Sequence, residues 1–199
     1  MMKNDKLLTI LTALLFLSGV VTVGWALFSG LRIKSSSVEP PNMDCVHASQ
    51  LHIMRRSDMG PILGKDRQFK VLMGYYACNP IKRGDLVFFR FSETLPPVAR
   101  VVRALPGDKA EVRLTSDGHW EIWINKDAVS TEEGPFRLSD PANPPPLKSN
   151  LEDRGGTLND DEYLLMTMRP PGTADSIRLG PTPGVQIVGK VIVLPEPQD

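Results

Sequence analysis

Cysteine and histidine are scarce in this chain, with two of the first and three of the second among 199 residues. Two cysteines are too few for a disulfide framework. A zinc centre needs three or four ligands, and Cys45-Val46-His47 supplies a pair with no third cluster, so no metal is expected. An excess of either charge is also missing: Lys+Arg and Asp+Glu number 23 each, with no basic block. That balance removes nucleic acid from the classes of partner. Nothing in the sequence calls for a cofactor. Long apolar runs are absent too, with one exception near the amino end.

The exception is residues 7–31, which carry no charged side chain. At about 1.5 Å per residue a helix of this length spans a hydrocarbon core of about 30 Å. The competing reading is a cleaved signal peptide. The run is longer than the usual apolar region of about 7 to 15 residues, and Trp25-Ala26-Leu27-Phe28 is not an Ala-x-Ala site, so an uncleaved anchor in the lipid bilayer is preferred. Lys3 and Lys6 before the span face Arg32 and Lys34 after it, which leaves orientation undecided by charge. A Ser/Pro-rich connector, Ser35-Ser36-Ser37-Val38-Glu39-Pro40-Pro41-Asn42, follows within a linker over residues 32–50. The rest, residues 51–199, has the size and the apolar content for one modest domain. Cys45 and Cys78 pair if that domain is exported, and otherwise remain as buried thiols.

Short runs rich in β-branched and aromatic residues, punctuated by turn residues, make this domain mostly β. Residues 86–91 and 98–102 read as a hairpin across the turn at Glu93-Thr94-Leu95-Pro96-Pro97, closed by Pro106-Gly107-Asp108. Residues 110–114 and 120–125 alternate around Ser116-Asp117-Gly118 as a second hairpin. Strands are also expected over residues 51–54, 69–76, 161–166 and 187–191. Trp120 and Trp123 are read as packing residues. Residues 130–156, with Pro144-Pro145-Pro146, read as a long loop or flexible insertion, either idle or a partner-binding arm.

Four boxes in order then carry a resemblance. Met59, Pro61, Leu63 and Asp66-Arg67 are similar to a Ser-Met-x-Pro-Thr-Leu segment and its following turn. Gly84-Asp85-Leu86-Val87 and Leu105-Pro106-Gly107-Asp108 match the two ends of a Gly-Asp strand and a Lys-Arg strand. Thr173-Ala174-Asp175-Ser176 and Gly180 match part of a final motif. Together they resemble the signal peptidase I family of membrane-bound serine endopeptidases. The resemblance implies a β domain of antiparallel sheets, partly barrel-like, behind one N-terminal transmembrane helix. It also implies residues 1–6 in the cytoplasm, the domain on the outer face of the cytoplasmic membrane of a bacterial envelope, and exported precursors or pilus-type subunits as partners.

The two positions that carry the family's chemistry are substituted. Aligned without gaps, the nucleophile position holds Asp58 and the lysine position holds Arg100; one inserted residue moves the latter to Ala99. A serine attacks only when a base takes its proton, and a buried amine can serve while a guanidinium stays charged. Asp58 and Arg100 are therefore expected to form an ion pair where relatives keep a Ser-Lys dyad, unless both are simply solvated. Ser57 is the alternative nucleophile, lacking a base. By the same resemblance Met54, Arg55, Arg56, Met59 and Pro61 line the substrate groove, where the arginines suit a small apolar segment poorly; a solvated edge is the plain alternative. Thr173, Asp175 and Ser176 would support the site. Asp175 loses its usual arginine to Ile177, which makes Arg100 its candidate counter-ion. The expected function is a degenerate family member that binds or assembles exported proteins. The alternatives are an active endopeptidase using Ser57 and a purely structural tethered domain.

Overall fold

In the computed structural model the described residues are 40–170 and 174–196, so the anchor over residues 7–31, residues 32–39 of the linker and Thr173 lie outside them. Among the described residues no helix is long and apolar enough to cross a membrane.

The two runs of the central hairpin form β3 (Leu86–Phe89) and β4 (Val98–Ala104), paired antiparallel with Val87 opposite Arg100 and Phe88 opposite Ala99. Both strands are covered on two faces, which is why they read as nearly continuous apolar runs. They lie inside a seven-stranded sheet with β1 (Ala48–Ile53), β2 (Gln68–Met73), β11 (Glu162–Met166), β12 (Thr182–Pro183) and β13 (Ile187–Val193). Its order is β1-β2-β13-β3-β4-β11-β12. The ladders recorded between its strands are antiparallel, and β1 and β12 end the sheet, so it is open and forms no closed barrel. That corrects the partly barrel-like expectation: among the described residues no strand pairs with the outer edge of β1.

The second hairpin is β5 (Ala110–Leu114) and β6 (Trp120–Ile124), with β7 (Asp127–Ala128) paired to β6. Trp120 is buried and donates its indole N–H to the Asp140 carbonyl, while Arg113 stacks 4.3 Å over the Trp123 ring. The strand expected over residues 69–76 stops at Met73. Gly74 takes φ 81, and a Cβ there would collide with the Cys45 carbonyl and the His47 ring. A disulfide joins Cys45 to Cys78 at a Cα separation of 5.8 Å, tying the approach to β1 to the turn after β2. Cys45 is thereby unavailable to a metal.

The segment over residues 130–156 is not a loose excursion. It holds β8 (Ser130–Thr131), β9 (Gly134–Pro135), β10 (Arg137–Leu138) and the helix α1 (Pro146–Glu152). β10 extends the second sheet along β6. Phe136, Leu147 and Leu151 enter one core cluster with Ile122, Leu164 and Ile177. Its Pro and Gly content marks turns between short elements, and Phe136, Leu147 and Leu151 are its large buried side chains. A second cluster gathers Met54, Met59, Leu63, Phe69, Phe88, Ala99, Val101 and Met168. A third holds Val87, Phe89, Val102, Leu165 and Ile187. Successive β4 side chains alternate between them, so Ala99 and Val101 face the second cluster while Arg100 and Val102 point the other way.

At the end of β4, Asp108 accepts the Leu105 N–H at 2.5 Å, Arg83 at 2.6 Å and the Asn125 amide at 2.6 Å. Burial pushes its carboxyl up, but these donors outweigh it and hold it below the usual aspartate range. A carboxylate so held stabilises the fold above its unfolded pKa of about 3.9 and loses that contribution as pH falls through the folded value. Asp108→Asn should lower the unfolding midpoint at pH 7, and its difference from wild type should shrink in titrations below about pH 4. Phe136→Ala should cost about 3–5 kcal/mol in urea unfolding, as for a buried core aromatic. A cost under about 0.5 kcal/mol would return residues 130–156 to the surface loop.

Candidate functional site

The turn after β1 begins at Met54, whose N–H donates to the Arg67 carbonyl at 2.9 Å and whose carbonyl accepts the Asp66 N–H at 2.6 Å. Those bonds close the segment into a tight excursion. Met59 and Leu63 are its apolar anchors, both at 0% exposure, and the Gly60-Pro61 peptide bond is cis. Met54 is buried with them, whereas Arg55, Arg56, Ser57 and Pro61 are exposed. Burying Met59 draws Asp58 inward, and its backbone is fixed there. The Asp58 carbonyl accepts the N–H groups of Met168 at 2.9 Å and Arg169 at 3.1 Å, just past the end of β11.

Against this turn lies Arg100, the largest side chain of the fully buried set, at 0% exposure. Its Nε donates to the Ala174 carbonyl at 2.8 Å and its Nη1 to the Ala99 carbonyl at 2.6 Å. Its Nη2 stands 3.4 Å from Asp58 Oδ2, and the Asp58 side chain is 12% exposed. The expected ion pair is present. Among the described residues both Asp58 oxygens and Arg100 Nη2 lack a hydrogen-bond partner, so the pair is a contact of charges without hydrogen-bond geometry. Arg56 Nε adds a second cation 3.6 Å from the same oxygen. Of the two registers left open, Arg100 is the one whose side chain reaches residue 58, while Ala99 packs beside Met59.

Two unit charges at about 4 Å attract by about 4 kcal/mol at an effective dielectric near 20. Taking each ion from water costs several kcal/mol. The pair thus offsets its burial and gains little beyond that. Burial lowers the Arg100 pKa, and Asp58 and then Asp175 pull it back.

Asp175 is fully buried but makes no ion-pair contact with Arg100. The counter-ion expectation is corrected to a longer-range attraction. Asp175 instead caps the short helix α2 (Ser176–Leu179), accepting the Ile177 N–H at 3.2 Å, with the Thr167 hydroxyl 3.2 Å away. Burial pushes its carboxyl up, against the pull of Arg100, Thr167 and Ile177. Ser176 accepts the Leu165 N–H on its Oγ at 2.8 Å and so ties α2 to β11. Thr173 falls outside the described residues.

Sequence reading missed Thr167, Met168 and Arg169 as functional parts. It also missed Glu133, whose carboxylate meets Arg169 at 2.6 Å and brings the β8–β9 hairpin to the site. Residue identity alone carries no signal for a contact across that separation. Chemically, the arrangement offers a buried guanidinium, a carboxylate and a rim of arginines. Among the described residues it contains no neutral amine beside a hydroxyl.

Asp58→Ala and Arg100→Met should each destabilise the domain by about 3–5 kcal/mol, since each strands a buried charge. The double variant should cost less than the sum by about 0.5–3 kcal/mol. Additive losses in urea unfolding would show that the charges do not act as a pair.

Comparison with known proteins adds three findings. A signal peptidase I from Enterococcus faecalis V583 aligns at 18% identity and a TM-score of 0.39, over 59% of this chain and 98% of that one. None of the curated proteins compared matches the chain. The family described as signal peptidase, peptidase S26, matches residues 4–194. With nearly the whole chain inside that match, from ahead of the apolar run to the end of the last strand, the protein belongs to the signal peptidase S26 family.

Proposed function

We propose that this protein is a membrane-anchored signal peptidase I-like chain that binds exported precursors, signal peptides or pilus-type subunits, without cleaving them. The observation that carries the reading is the Asp58–Arg100 contact, 3.4 Å apart with Arg100 fully buried. Acyl transfer by this family's chemistry needs a hydroxyl and a neutral base within hydrogen-bond reach. A guanidinium beside a carboxylate keeps its proton. A carboxylate supplies no hydroxyl to deprotonate. The Cys45–Cys78 disulfide supports an exported domain, because such bonds persist in oxidising compartments. The apolar residues 7–31 support an anchor in the cytoplasmic membrane with the β domain on the outer face.

Ser57 is the residue on which a proteolytic reading would depend. It is exposed, and its hydrogen bond among the described residues runs from the Gly60 N–H to its carbonyl. That leaves the hydroxyl without an activating base.

The full chain in detergent, incubated with a precursor carrying a signal peptide, should leave the precursor intact and retain it on affinity capture. Ser57→Ala and Asp58→Ala should behave alike in the cleavage assay. Cleavage by wild type that disappears in Ser57→Ala would overturn the proposal and make the protein a working endopeptidase. Failure to retain the precursor would remove the binding role.

A further inference from the structure

We infer that the rim of this site selects an extended peptide segment bearing carboxylate side chains, rather than the small apolar segment that the family resemblance implies. The inference rests on the precursor-binding reading and specifies what is bound. Four arginines gather at the Asp58 turn: Arg55 and Arg56 lie on it, Arg56 and Arg100 face its carboxylate, and the Arg169 N–H meets its carbonyl. Two of them face carboxylates within salt-bridge distance: Arg100 with Asp58 at 3.4 Å, and Arg169 with Glu133 at 2.6 Å. Arg56 shares the Asp58 oxygen already facing Arg100, at 3.6 Å, and its side chain is 55% exposed. Arg55 is exposed and has no ion-pair partner among the described residues. Asp175 is fully buried and committed to its helix cap. The accessible surplus is therefore positive.

Backbone groups point the same way. Met54 and Ser57 use their backbone in local bonds, but among the described residues the N–H and C=O groups of Arg55 and Arg56 have no backbone partner. These residues directly follow β1, an edge strand. Unpaired main chain at a sheet edge takes a peptide by adding its main-chain hydrogen bonds, with side chains supplying the choice. A lipid headgroup would answer the arginines but not the backbone, and for that reason a peptide is the occupant.

The molecule also carries its own example of the ligand chemistry. Glu133, from the tip between β8 and β9, reaches Arg169, whose guanidinium lies 3.7 Å from where a Cβ on Gly60 would stand. Both side chains are largely exposed, at 61% and 46%, and an exposed pair of this kind is weak. An incoming carboxylate can displace Glu133 from Arg169 at little cost.

The test is fluorescence anisotropy on the full chain in neutral detergent, with a labelled ten-residue peptide alternating glutamate and valine. Two controls are its glutamine counterpart and an alanine-rich peptide of signal-peptide type. The glutamate peptide should bind about tenfold tighter than the glutamine one, with the margin narrowing as salt rises. Arg55→Gln with Arg56→Gln should erase that margin while leaving the thermal unfolding midpoint in place, and Glu133→Gln should tighten glutamate-peptide binding. Equal binding of the glutamate and glutamine peptides would overturn the inference. Preference for the alanine-rich peptide would overturn it while leaving precursor binding intact, whereas no binding of any peptide would sink both. Capture of anionic vesicles through Arg55 and Arg56, without discrimination among peptides, would assign the rim to lipid and also overturn it.

Discussion

A guanidinium shut away from water is the constraint on which the site is built. Arg100 projects from β4, and a charge at that depth is tolerable only where fixed acceptors meet it. The fold brings them from separate parts of the chain. Asp58 comes from the turn after β1, the Ala174 carbonyl from the approach to α2, and the Ala99 carbonyl from β4 itself. Each must be held in place by something else. Asp58 is held by the Met168 and Arg169 N–H groups, and Ala174 precedes a helix whose first turn Asp175 caps. One buried side chain thus couples the Asp58 turn, the central hairpin and the segment after β11.

The same coupling explains the position of residues 130–156. Phe136, Leu147 and Leu151 fill the cluster that also receives Leu164, Met166 and Ile177, which flank the Arg100 supports in sequence. From that packed base the β8–β9 tip extends to Arg169. An insertion with its own core contacts can place a carboxylate at the site, where a free loop would spend entropy to do so.

Much of the fold was legible because its strands follow local rules. The central hairpin, the second hairpin and the strand at 187–193 are rich in β-branched and aromatic residues, and the strand at 162–166 is a short apolar run; turn residues separate them. Legibility fails where a tertiary contact overrides the local pattern. Gly74 ends β2 because the Cys45 carbonyl and His47 occupy the space, a fact invisible in residues 69–76. Residues 130–156 read as loop because their buried residues are too few and too widely spaced to show a period. At the site, paired substitution in two boxes pointed to Asp58 beside Arg100. The orientation of Asp175 toward its own helix turn was not legible, since an aspartate ahead of a serine suits a cap and a counter-ion equally.

The pairing of Asp58 with Arg100 also limits how such a site can change. A serine at position 58 would leave the Arg100 guanidinium buried with two carbonyl acceptors and only the more distant Asp175 charge to answer it. A lysine at position 100 facing Asp58 would be held in its charged form by that carboxylate, and a protonated amine is no base. Neither single change therefore supplies the dyad's chemistry, and the first also carries the cost of an unpaired buried ion. Only the joint states, hydroxyl with neutral amine or carboxylate with guanidinium, satisfy both the electrostatics and the packing. This chain occupies the second. The paired charges at its centre, with the carbonyls that meet Arg100, are the same groups that link its turn, its central strand and the approach to α2.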